Sequence, residues 1–253
     1  MLESFSEIFG VSSLQVLLVL VTVVFASVLR SFTGFGFALA AVPVFAVILP
    51  ATDAVVLSAS LTLVLSVLAL PTYWGVVPLR PMAPLFAMAL VGTAVGAAVL
   101  QSVSVEQFQL WAGVAVTLAS LALWIFRPSA GRLPPLWAWL TGLASGLMNG
   151  VMAIPGPPVI LYALITEPAP AQSRALLMTY FFGSALFALT IFGLAGFVNV
   201  QTLSLALLAS PVLYFGDRMG YYLFRRYGDQ FYRRIAMMTL LVIGVSVTCQ
   251  ALW

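Results

Sequence analysis

The usual chemistry-bearing residues are nearly absent from this chain. There is no histidine, and all ten basic residues are arginines. The single cysteine, Cys249, lies in the last apolar segment. A Ser–His dyad, a histidine-held metal, a lysine Schiff base and an intrachain disulfide are therefore excluded. No metal, no cofactor and no catalytic residue is expected, and the chain does not read as an enzyme. What remains are groups suited to holding a ligand, and they gather in two related stretches. The first is Arg30-Ser31-Phe32-Thr33-Gly34-Phe35-Gly36, running on to Pro43. The second is Gly142 to Pro158, with Ser145, Gly146, Asn149, Gly150 and Val151 ahead of Pro155, Pro157 and Pro158. In both, a glycine (Gly34, Gly146) precedes a proline (Pro43, Pro155) by nine positions.

Each stretch lies inside a long apolar run. Glycine admits backbone conformations that other residues avoid, and an interior proline removes a helical hydrogen bond. Each copy therefore predicts a helix broken within a membrane, with Pro43, Pro155, Pro157 and Pro158 shaping the breaks. Irregular backbone at that depth survives only where it is buried in protein or lines a wet cavity. A pair of Gly/Pro-interrupted apolar segments in matching halves points to a transporter's binding site.

Composition requires the membrane. The 253 residues are 63% hydrophobic and only 7% charged, with a mean hydropathy of +1.14. A soluble domain carries about 25% charged residues. Runs near 20 residues suit helices, whereas a β-barrel would alternate over roughly ten. The acidic N-terminus, with Glu3 and Glu7, does not read as a cleaved signal. The fold class expected is an all-α polytopic membrane protein with eight to ten membrane segments. Apolar segments fall at about 11–29, 35–49, 54–72, 82–101 and 106–126, then 133–149, 156–166, 174–197, 200–219 and 231–251.

These segments divide into a first repeat (1–126), a linker (127–135) and a second repeat (136–253), together one membrane domain. Two further landmarks recur in order. Gly92-x-x-x-Gly96 and Gly216-x-x-x-Gly220 occupy the fourth segments, and Glu106-Gln107-Phe108 and Asp229-Gln230-Phe231 open the fifth. The Gly-x-x-x-Gly faces could pack within one protomer or between two in a homodimer. If the first pair of each half goes out and back, every arginine falls on one side, except that a re-entrant first pair would leave Arg30 near mid-membrane while a full crossing puts it at the surface. The positive-inside rule makes that side cytoplasmic in a cell inner (plasma) membrane. Each half then crosses an odd number of times, so the two repeats are inverted relative to each other. The pI near 9.3 reads as that basic face and not as nucleic-acid binding.

Thr33-Gly-Phe-Gly-Phe-Ala-Leu-Ala-Ala-Val-Pro43 and its degenerate copy Gly142–Pro158 resemble the sulfite exporter TauE/SafE family, over essentially the whole chain. Leu147-Met-Asn149 and Val151-Met-Ala stand where that family commonly has more glycines. The resemblance implies transport of small anions: sulfite, organosulfonates, or related sulfur-containing and carboxylate species. The expected mechanism is secondary transport by alternating access, with a passive anion channel using the same site as the alternative.

For such an anion the free N–H groups at a half-helix start are natural donors, carrying partial positive charge without trapping it. Candidate donors are the backbone at Gly34, Phe35 and Gly36 and at Gly150–Ala153, Gly150 and Val151 foremost. Ser31, Thr33, Ser145 and Asn149 would add side-chain contacts. Arg30 would anchor a dianion as a bidentate donor, or else reach the cytoplasmic surface. Asp217 reads as an interfacial neighbour of Arg218. Ser58, Ser60, Thr62 and Ser66, with Thr179, Tyr180 and Ser184, could line a path, although such residues more often bond across helices.

Overall fold

A computed structural model describes residues 11–125, 131, 133–167, 169–227 and 229–252. Among these residues the chain is helical with no strand. The first half holds α1 (Ser13–Thr33), α2 (Phe37–Ile48), α3 (Ala51–Tyr73), α4 (Ala83–Leu100) and α5 (Val105–Ile125). The second holds α6 (Pro135–Met152), α7 (Gly156–Thr166), α8 (Pro170–Leu194), α9 (Val200–Tyr227) and α10 (Asp229–Leu252). All ten expected segments have a helix. Among the described residues four stretches are long and apolar enough to cross a membrane: Ser13–Ser31, Ala51–Tyr73, Arg80–Leu100 and Ala171–Leu194. The chain is a multi-pass membrane protein.

Local chemistry sets the helix ends. Ser12 caps α1 in a reciprocal pair with Gln15, the Ser12 amide donating to Gln15 Oε1 at 2.8 Å. At its other end Gly34 turns left-handed (φ 74°) and its N–H donates to Arg30 O at 2.8 Å. Gly36 follows at φ 105° and starts α2. Two departures of this kind within three residues cannot continue a right-handed helix. Pro43, expected to shape this break, lies inside α2 instead. Its fixed φ suits a helix and costs one hydrogen bond, which a short buried helix absorbs.

In the second half α6 runs through Gly146 and Gly150 and stops only at Ala153 (φ 52°). The next short helix starts at Gly156, directly after Pro155. The two stretches therefore bend at different points of the shared Gly–Pro spacing.

Packing explains why the second copy stays helical across its glycines. A Cβ on Gly146 would lie 2.8 Å from Ala89 Cα, and one on Gly150 would lie 2.8 Å from Gly96 Cα. The glycines of α6 thus face Gly92 and Gly96 of α4 at backbone contact. The other pair behaves alike: Gly216 and Gly220 of α9 press on α1, at Ser27 and Ser31. Both Gly-x-x-x-Gly faces are used within the chain. Each half's fourth helix packs on the other half's first, α4 on α6 and α9 on α1, while α3 pairs with α8 and α5 with α10. Exchanging the halves leaves this pattern unchanged.

Candidate functional site

At one end of the bundle, α1, α3, α8 and α9 enclose a polar cavity of about 480 Å³. Arg30 and Ser31 enter it from α1, Thr72 and Tyr73 from α3, Arg174 from α8, and Tyr214, Asp217, Arg218 and Tyr221 from α9. Leu68, Ala69, Ala171, Ala175 and Met178 complete the wall. Three arginines against one carboxylate leave a formal surplus of two positive charges.

Arg30 is the unusual member. Only 2% of it is exposed. Its Nη1 donates to Leu65 O at 3.3 Å, and its Nη2 is buried with no partner among the described residues. A buried charge is tolerated when it is paired and fully hydrogen-bonded. Arg30 therefore presents unused donor capacity beside a cavity. Arg174 is half-buried and donates from Nη2 to Ser31 O at 3.2 Å. Arg218 donates from Nε to the Tyr214 hydroxyl at 3.2 Å and stacks over that ring at 5.2 Å.

The surrounding backbone holds these groups. Gly220 lets Ser31 approach α9, and Ser31 Oγ donates to Asp217 O at 2.8 Å. Gly34, lacking a side chain, leaves room for the stem of Arg174: a Cβ there would sit 2.8 Å from Arg174 Cγ. The turn that ends α1 is thereby tied to a cation of α8.

The expected site residues do not all meet here. Arg30 and Ser31 line the cavity and Gly34 adjoins it. The Thr33 side chain lies outside the described residues. The Gly34 amide, an expected donor, is committed to Arg30 O. The amides of Gly150 and Val151 are not donors at a helix start either, because both residues sit in the last turn of α6. That end of a helix carries partial negative charge, the wrong sign for an anion.

Ser145 and Asn149 fasten helices together. Ser145 Oγ donates to Pro155 O and accepts from the Tyr180 hydroxyl at 2.8 Å. Asn149 Nδ2 donates to Ser184 O at 2.9 Å and to Thr93 Oγ1 at 3.3 Å. The turn at Ala153–Pro155 is buried, with its carbonyl at Pro155 satisfied from within. Pro157 and Pro158 wall a separate, wholly apolar cavity of about 700 Å³ against α5. The two short helices do approach each other at their starts, since a Cβ on Gly156 would meet Leu39 Cδ1 at 4.0 Å.

Arg174, Tyr73 and Asp217 were not foreseen as cavity residues. Arg174 and Asp217 stood out only as charges at segment ends, and no spacing linked them to Arg30, 144 and 187 positions away.

The opposite end of the bundle carries no described arginine in its contacts. There Asp53 Oδ1 accepts from Asn199 Nδ2 at 2.7 Å and from Thr202 Oγ1 at 3.0 Å. Gln15 Nε2 donates to Ile48 O and Gln109 Nε2 to Ala46 O, each at 2.9 Å.

The family model for sulfite exporter TauE/SafE matches residues 19–247, nearly the whole chain. No curated protein and no solved structure matches it at a significant level.

Proposed function

The chain belongs to the sulfite exporter TauE/SafE family, a family of membrane transporters, and from that premise we propose that it moves small sulfur-containing anions by alternating access, binding them in the arginine cavity. The observation that carries this reading is the buried Arg30 guanidinium with an unpartnered Nη2. An oxyanion there accepts the N–H groups that the protein leaves open, and Arg174 lies close enough to share it. The surplus of two positive charges suits a dianion such as sulfite, organosulfonates with a second acidic group, or small dicarboxylates. The apolar wall from Leu68 to Met178 accommodates a short carbon chain.

The helix plan fits alternating access. α1 begins at the arginine-free end, where Gln15 meets Ile48. α6 begins beside Gly131, whose N–H donates to Ile165 O at 3.0 Å, near the start of α8 and the arginine cavity. These contacts support reading the halves as running in opposite senses, as in transporters built from inverted repeats with discontinuous helices. We read α1–α2 and α6–α7 as the two discontinuous pairs. Positive-inside places the arginine cavity on the cytoplasmic side. Ser145 and Asn149 act in this scheme as positioning residues.

The same cavity would serve a passive anion channel. Purified protein in liposomes separates the two. A transporter accelerates sulfite uptake when the lumen is preloaded with unlabelled sulfite. A channel gives no such counterflow and carries a large single-channel current, and that outcome would replace alternating access.

A further inference from the structure

Hydroxyls in the helices of this protein mostly satisfy themselves. Thr22, Ser27, Ser66, Thr93, Thr117 and Ser120 each donate to the carbonyl four residues earlier, at 2.5–2.8 Å. Among the described residues, three buried hydroxyls have no partner: Ser58, Ser60 and Thr62. All three lie within five residues of one helix, near the middle of the 23-residue α3. Ser58 has no exposed surface at all.

Their direction distinguishes them. At about 3.6 residues per turn, Ser58, Thr62, Leu65, Ala69 and Thr72 share one stripe of α3, and Ser60 falls on the opposite face. The far end of that stripe is already placed. Ala69 and Thr72 line the arginine cavity, and the Leu65 carbonyl accepts from Arg30. Ser58 and Thr62 therefore lie on the same face of α3 as the cavity-lining Ala69 and Thr72, nearer the centre of the bundle, with hydroxyls that have no partner among the described residues.

We propose that Ser58 and Thr62 form a second, uncharged oxyanion station, deeper than Arg30, which receives the anion from the arginine cavity during transport. This rests on the anion-binding reading of that cavity. Hydroxyl donors stabilise an oxyanion in transit without the full charge that would hold it. A station of this kind governs the rate of passage and contributes little to equilibrium binding at the arginines.

The test uses full-length protein and sulfite as the probe, with calorimetric binding in micelles and initial flux in liposomes. Ser58→Ala/Thr62→Val preserves shape closely and removes both donors. Flux falls about tenfold or more while the sulfite Kd stays within about twofold of wild type. The thermal midpoint does not drop, because two unsatisfied polar groups are removed. Ser60→Ala, on the other face, leaves flux unchanged, and Ser58→Thr, which restores a hydroxyl, retains it. Flux of the double variant within about twofold of wild type would overturn the station. So would an equal loss in Ser60→Ala, or a loss of affinity as large as that of Arg30→Ala. Failure of the underlying reading looks different: Arg30→Ala would then bind sulfite normally, whatever the hydroxyl variants do.

Discussion

Replacing Gly34 by alanine tests whether the end of α1 and the arginine cavity are one mechanical unit. The backbone there has φ 74°, and a non-glycine residue in this region costs about 1–2 kcal/mol. Gly75 (φ 78°) and Gly196 (φ 76°) share the conformation, but a Cβ at either meets nothing within 4 Å. Gly75→Ala and Gly196→Ala therefore report the backbone cost alone. At Gly34 the new Cβ would stand 2.8 Å from Arg174 Cγ and 3.4 Å from Cδ and Nε. Carbon atoms rest at about 3.5–4.0 Å, so the Arg174 stem must retreat by roughly 1 Å. Its bond to Ser31 O, already 3.2 Å long, does not survive that shift. If Arg174 shares the anion, one charge-assisted hydrogen bond is lost, about 1.5–3 kcal/mol, or about tenfold to 150-fold in Kd. The assay pairs thermal unfolding in micelles with sulfite calorimetry. All three variants carry the backbone cost, Gly34→Ala loses more stability than the two controls, and Gly34→Ala alone loses affinity. The reasoning is refuted if Gly34→Ala binds sulfite as the two controls do.

Three further substitutions separate structure from binding. Asn149→Leu removes the bonds to Ser184 O and Thr93 Oγ1 and lowers stability by about 1–3 kcal/mol, measured by chemical denaturation, with sulfite Kd unchanged. Gly150→Val forces α6 from α4 and costs about 1–3 kcal/mol or more, whereas Gly193→Val, with open space around it, is close to neutral in the same thermal assay. Asp53→Ala unties α3 from the start of α9, costing about 1.5–3 kcal/mol, and leaves sulfite calorimetry untouched because the cavity is at the other end.

Helix content was legible in the sequence because apolar runs bounded by glycine, proline and charge leave little else at this hydropathy. The exchange of packing partners was foreshadowed by Gly92/Gly96 and Gly216/Gly220, whose shared spacing proved to serve shared contacts. Which residue ends each helix was less legible. Pro43 looked like the breaker, yet a proline's φ fits a helix, and the positive φ of Gly34 and Gly36 does not. Gly146 and Gly150 looked like a second break and are instead close-packing residues. Arg30 stood out because a charge within an apolar run is costly. Its neighbours did not, since the cavity depends on how α1, α3, α8 and α9 are rotated against one another. A local pattern carries no information on that rotation. Ser145 and Asn149 were visible as polar residues, but only tertiary contact assigns their donors to Pro155, Ser184 and Thr93.

Calorimetric titration of the purified protein with sulfite, comparing wild type, Arg30→Ala and Arg127→Ala, bears most directly on the account. Wild type and Arg127→Ala should bind alike, and Arg30→Ala should bind at least about tenfold more weakly while remaining folded. Equal affinity in all three would mean that the open guanidinium of Arg30 does not hold the anion, and the arginine cavity would lose its role.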